Sequence, residues 1–103
     1  MIYLIDHEDS FTYNLAHLLD SIEPTFVSNY YEINHTKLEK SSTIVLSPGP
    51  GEPKDYPLTT KIYNKYKGKK KIFFMVIRVI LKLLTINQFL KKILISLEVD
   101  IIP

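Results

Sequence analysis

Met1 is followed by Ile2-Tyr3-Leu4-Ile5, an apolar run without interruption until Asp6, and this run limits the fold more than any other feature of the chain. A strand with one wet face alternates apolar and polar residues. A strand that is apolar at every position needs cover on both faces, which a parallel sheet flanked by helices supplies. Thr43-Ile44-Val45-Leu46 repeats the pattern, and Ile72 to Val76 repeats it again. Thr25 to Asn29 is rich in β-formers and reads as a further strand.

Helical spacing fills the intervals. Phe11, Leu15, Leu18, Leu19 and Ile22 recur on one side of a helix that Asp9 or Ser10 caps and that ends before Pro24. The polar stretch Glu32 to Lys40 holds one short helix. Leu58, Ile62 and Tyr66 stand four apart, which predicts a helix over about 56–67, with Gly68 ending it in the left-handed conformation that glycine adopts most easily. Strands alternating with helices make an α/β parallel sheet whose ligands gather at the C-terminal ends of the strands.

The 103 residues suffice for one small domain, and 46% hydrophobic content argues against disorder. A net charge of +2 gives little long-range pull on a polyanion. Lys65, Lys67, Lys69, Lys70 and Lys71 concentrate that charge in one loop, read here as a solvated connection, with no nucleic-acid partner expected. The absence of cysteine excludes disulfides, thiolate metal sites and a thiol nucleophile. No basic leader precedes the first apolar run, so a cytoplasmic location is expected. Arg78, Lys82, Lys91 and Lys92 interrupt the greasy stretch 72–102, so it falls short of the roughly 18 apolar residues of a membrane span.

Two loops lie where a parallel sheet gathers ligands: Asp6 to Asn14 after the first strand, and Ser47 to Pro53 after the third. In Ser47-Pro48-Gly49-Pro50-Gly51 the prolines fix the chain path while Gly49 and Gly51 let a ligand approach the backbone, so their amides are presented as a pair. Such a loop holds a developing oxyanion, or else is a stiff connection with no ligand. It lacks the lysine and the helix start of a nucleotide phosphate loop. His7, His17 and His35 are expected to be exposed loop or helix residues, and no pair of them has metal-ligand spacing.

Met1 to Asp6, Asp9-Ser10-Phe11-Thr12-Tyr13-Asn14-Leu15 and Ile44 to Pro53, in that order, resemble the start of class I glutamine amidotransferases. The likeness covers residues 1 to about 74 and is greatest to component II of anthranilate synthase and to the glutaminase subunit of aminodeoxychorismate synthase. It implies a flavodoxin-like α/β fold that releases ammonia from glutamine and passes it to a chorismate-using synthase subunit, in tryptophan or folate biosynthesis, with no cofactor. It also implies that Gly49, Pro50 and Gly51 bind glutamine, with an amide near Gly51 assisting the oxyanion. Ser10 reads as a helix cap, and Phe11 and Leu15 as core.

The likeness fails after the fourth strand. There the family carries Gly-x-Cys-x-Gly, whereas this chain reads Met75-Val76-Ile77-Arg78-Val79. Strand alignment places Met75 and Val79 at the glycines and Ile77 at the cysteine. Isoleucine has no lone pair with which to attack a carboxamide, and losing the nucleophile of a triad enzyme costs about six orders of magnitude in turnover. No catalytic residue is therefore assigned, and the family's catalytic histidine and glutamate have no counterpart before Pro103. Two units are expected: 1–74, the N-terminal part of an amidotransferase domain, and 75–103, a divergent tail rich in Ile, Leu and Lys. Two origins stay open for the tail: a shifted reading frame, or a short protein in its own right whose amphipathic tail caps the exposed sheet. The rival functions are a non-catalytic module that binds glutamine or a partner, and a tail that associates with membranes. A sheet ending after four strands predicts poor solubility.

Overall fold

The computed structural model of the chain describes residues 1–8 and 12–75. Strands β1 (Ile2–Asp6), β2 (Thr25–Asn29), β3 (Thr43–Leu46) and β4 (Lys71–Phe74) alternate with helices α1 (Thr12–Asp20), α2 (His35–Lys40) and α3 (Pro57–Tyr66). All strand pairs are parallel and the sheet order is β2-β1-β3-β4. This is a flavodoxin-like α/β arrangement. β1 lies inside the sheet, with Tyr3 level with Phe26 on one side and Ile44 on the other. The chain leaves β1 for β2 and then crosses back to β3, so a crevice opens between β1 and β3 at their C-terminal ends.

The pleat sends alternate residues to opposite faces. Ile2, Leu4, Val45, Phe73 and Met75 bury against Leu15, Leu18 and Leu19 of α1. Tyr3, Ile5, Ile44 and Leu46 bury against Leu38 of α2 and against Ile62 and Tyr66 of α3. Leu4 and Ile5 are completely buried, and each contributes about 1.5–3 kcal/mol by leaving water. The expectation of a first strand covered on both faces is met, because both helical layers are present.

α1 stops at Asp20, two residues before Ile22, which packs against the α1 side of the core as a partly buried residue beyond the helix end. The proposed cap at Asp9 or Ser10 and the packing of Phe11 lie outside the described residues. Within them, Asp6 bridges the first strand-to-helix turn: its Oδ1 accepts the Glu8 amide at 2.8 Å and the Thr12 hydroxyl at 2.8 Å. Glu8 sits at φ 64, a conformation uncommon for a residue with a side chain.

Asn34 caps α2 by accepting the Lys37 amide at 3.0 Å. Tyr3 reaches the same corner, where its hydroxyl accepts the Asn34 amide at 2.8 Å and meets Ser28 Oγ at 2.6 Å. α3 starts on Pro57, where a missing N–H costs nothing, and Gly68 follows its end at φ 78 as expected. β4 begins one residue earlier than the apolar pattern indicates, at Lys71, and its ladder is continued by the Met75 amide donating to the Leu46 carbonyl at 2.9 Å. Val76, assigned to this strand from sequence, lies outside the described residues.

The lysine cluster between α3 and β4 is not wholly solvated. Lys70 Nζ donates to the carbonyls of Glu39, at 2.7 Å, and Ser41, and lies 5.1 Å from the Tyr66 ring centre. The Tyr66 hydroxyl donates to Glu39 at 2.6 Å, which pushes the phenol up to about 12 and lowers the carboxyl. Among the described residues no helix is long and apolar enough to cross a membrane.

Candidate functional site

The sheet delivers two loops to one place. β1 ends at Asp6 and β3 at Leu46, so His7 and Ser47 emerge side by side. The His7 amide donates to Ser47 Oγ at 2.8 Å, and that hydroxyl donates in turn to the Pro48 carbonyl at 3.0 Å. His7 Nδ1 lies 3.0 Å from the Ser47 carbonyl oxygen, and Nε2 lies 2.9 Å from Thr59 Oγ1. A carbonyl only accepts, so Nδ1 carries the proton, and the neutral ring accepts the Thr59 hydroxyl on Nε2. Burial lowers the His7 pKa, outweighing the Ser47 carbonyl and the Asp6 charge, which raise it. The ring therefore stays uncharged near neutral pH.

Here the structure corrects a sequence expectation. His7 is 4% exposed, not a solvated loop residue. Its ring stacks on Tyr30, with centres 5.8 Å apart, and takes the edge of Tyr56 at 4.8 Å. With both ring nitrogens committed to the fold, it has the setting of a structural link. His17 and His35 are exposed as expected.

Gly49 rests directly on His7. A Cβ at position 49 would lie 2.5 Å from His7 Cβ and 2.7 Å from the His7 carbonyl oxygen, so only glycine fits. Gly51 turns the chain at φ 89. Beyond it Asp55 Oδ2 accepts the Glu52 amide at 2.7 Å, opening a short 3-10 turn over Pro53–Asp55 that leads into α3. Pro53 occupies a first-turn position of that turn, where no amide donor is needed. The Tyr56 hydroxyl closes the loop from below by donating to the Pro50 carbonyl. Partial burial, with Tyr30, Asp55 and Glu8 nearby, raises the Tyr56 phenol above its usual range.

Gly49, Pro50 and Gly51 thus stay together at the C-terminal edge of the sheet, all three exposed. Among the described residues, neither the Gly49 nor the Gly51 amide has a hydrogen-bond partner. Beside them lies a cleft of about 300 Å³ lined by His7, Leu46, Tyr56, Thr59, Tyr63, Phe74 and the loop itself. Its walls are mostly apolar. Among the described residues no group of three His, Cys, Asp or Glu side chains gathers as a metal site would need.

Residues 3–76 match the sequence profile of the class-I glutamine amidotransferases. The chain belongs to that family. Relatives include an anthranilate synthase component 2 of Lactococcus lactis, 34% identical over 73 residues that cover 70% of this chain and 37% of that protein. One from Porphyra purpurea is 41% identical over 67 residues, 62% of this chain and 35% of its own length. One from Acetivibrio thermocellus is 38% identical over 68 residues, 63% of this chain and 75% of that sequence. The chain therefore spans little more than a third of the Lactococcus and Porphyra proteins.

In this family member Met75 is the residue that strand alignment sets against the first glycine of Gly-x-Cys-x-Gly. It is 5% exposed and packs with Phe73 and Leu15 in the α1 side of the core. Ile77 and Val79 lie outside the described residues. Sequence reasoning missed His7, Ser47, Tyr56 and Thr59. A signal for His7 was present: Tyr3, Ile5 and His7 fall on one face of an extended chain, the face that α2 and α3 cover.

Proposed function

We propose that residues 1–74 are the N-terminal part of a glutaminase domain of the anthranilate synthase component II type, and that this chain binds glutamine without hydrolysing it. Residues 75–103 form the divergent tail. The pair of unpartnered amides at Gly49 and Gly51, held open at the C-terminal edge of the sheet, carries this reading. Two N–H donors on glycines separated only by Pro50 offer hydrogen bonds to a carboxamide oxygen, and the family resemblance implies that an amide near Gly51 assists the same oxygen as it becomes an oxyanion.

Hydrolysis needs a nucleophile to add to the carboxamide carbon, a proton for the departing ammonia, and water to release the acyl group. At the aligned position this chain supplies Ile77, which has neither a lone pair nor an ionisable proton. His7 does not replace the missing base, because Nδ1 is held by the Ser47 carbonyl and Nε2 by Thr59.

The names of the relatives favour the tryptophan over the folate branch, and with it a cytoplasmic chorismate-using synthase subunit as the partner. Calorimetric titration of the chain with L-glutamine tests the reading. Saturable heat that Gly49→Ala removes is the expected result; no saturable binding overturns it.

A further inference from the structure

The Pro48–Gly51 loop is tied to the rest of the fold at two points: the Tyr56 hydroxyl donates to the Pro50 carbonyl within it, and His7 holds Ser47 where it begins. Every polar group of Ser47, the residue that launches the loop, is held. Its amide donates to the Ile5 carbonyl at 3.0 Å, its hydroxyl takes the His7 amide at 2.8 Å, and its carbonyl takes His7 Nδ1–H at 3.0 Å. The sheet accounts for the first of these bonds, and His7 for the other two.

Fixing that carbonyl fixes the Ser47–Pro48 peptide plane. Pro48 adds almost no freedom, because its ring locks φ near −65°. The direction of the chain at Ser47 therefore passes on to Gly49, which lies against His7 with no space for a Cβ between them. On its far side the imidazole is anchored to α3 through Thr59 and is bracketed by Tyr30 and Tyr56.

We propose that His7 is a positioning residue for carboxamide binding: its Nδ1–H, by holding the Ser47 carbonyl, sets the direction in which the Gly49 and Gly51 amides face the cleft. The proposal rests on the loop being the glutamine site. It assigns the effect to one ring nitrogen. The Nε2 bond to Thr59 anchors the ring but does not orient the loop.

Two variants divide the roles. In His7→Asn the side-chain amide donor replaces Nδ1–H and the reach to Thr59 is lost. In His7→Gln the longer side chain reaches Thr59 and offers no donor at the Nδ1 position. The chain has 3 glycines, so 15N-glycine labelling of the full chain gives three amide resonances, with Gly68 as a remote reference. In the free protein, His7→Asn is expected to leave the Gly49 and Gly51 resonances near their wild-type positions, and His7→Gln to displace both while Gly68 stays in place. L-glutamine is expected to shift Gly49 and Gly51 in the wild type and in His7→Asn with similar affinity. In His7→Gln binding weakens by about tenfold or more, the scale of one well-made hydrogen bond, even where the two variants melt at the same temperature.

Wild-type-like loop resonances in His7→Gln, or losses in both variants that follow melting temperature, overturn the positioning role. A wild-type chain whose glycine amides ignore glutamine overturns the binding reading instead. The free-state resonances of the two variants then still decide what His7 does.

Discussion

A methyl group on Gly49 would stand 2.5 Å from Cβ of His7 and 2.7 Å from its carbonyl oxygen. Neither atom is the far end of a flexible side chain, so one of the two loops has to move. Gly49→Ala is expected to lower stability by about 1–3 kcal/mol, the range for overfilling a packed contact. The urea midpoint of the variant against wild type measures this.

Gly51 and Gly68 both have positive φ, at 89 and 78, but their surroundings differ. A Cβ on Gly68 meets nothing within 4 Å, whereas on Gly51 it meets Asp55 Oδ2 at 2.5 Å. Gly68→Ala should cost only the backbone term of about 1–2 kcal/mol. Gly51→Ala should cost more, because the Asp55 carboxylate must leave the Glu52 amide. In an Asp55→Ala background that excess should vanish, which a double-mutant cycle reads directly.

Stability should fall as the solution becomes acidic, and His7 sets the sign. Burial lowers its folded-state pKa below the ordinary 6.5, despite the opposing influence of the Ser47 carbonyl and Asp6. The unfolded chain therefore binds the proton first. The stabilisation is complete above about pH 6.5 and is lost as pH drops through the lower folded value. Melting curves between pH 7.5 and 5 should show the loss, and His7→Asn should remove this component of it.

The Tyr3 hydroxyl ties β1 to two neighbours, Ser28 and the Asn34 amide. Tyr3→Phe keeps the fully buried ring but leaves that amide without its acceptor, so a loss of about 1–2 kcal/mol is expected. Ser28→Ala should cost less, since the phenol retains Asn34. Chemical denaturation of the two variants separates the cases.

The layers of the fold were legible from sequence because burial on both faces leaves a local mark. Ile2 to Ile5 has no polar position, and Leu58, Ile62 and Tyr66 fall on one side of a helix. The loop glycines were legible too, since Pro-Gly-Pro-Gly sets a restricted path with exposed amides. What fixes that loop was not. His7 and Thr59 are 52 positions apart, and their meeting depends on how strand ends and a helix converge, which periodicity does not encode. Ser47 reads as an ordinary loop serine until its hydroxyl is seen accepting the His7 amide. Ile22 shows the converse: helical spacing extended the pattern past Asp20, yet a residue beyond a helix end can still reach the same core.

Release of ammonia from L-glutamine by the purified full chain tests the central claim most directly. The account predicts saturable glutamine binding with no ammonia above the rate in buffer, because the proposed alignment sets Ile77 at the position of the attacking sulfur and the chain has no cysteine. Ammonia production at a rate comparable with an intact amidotransferase would contradict it.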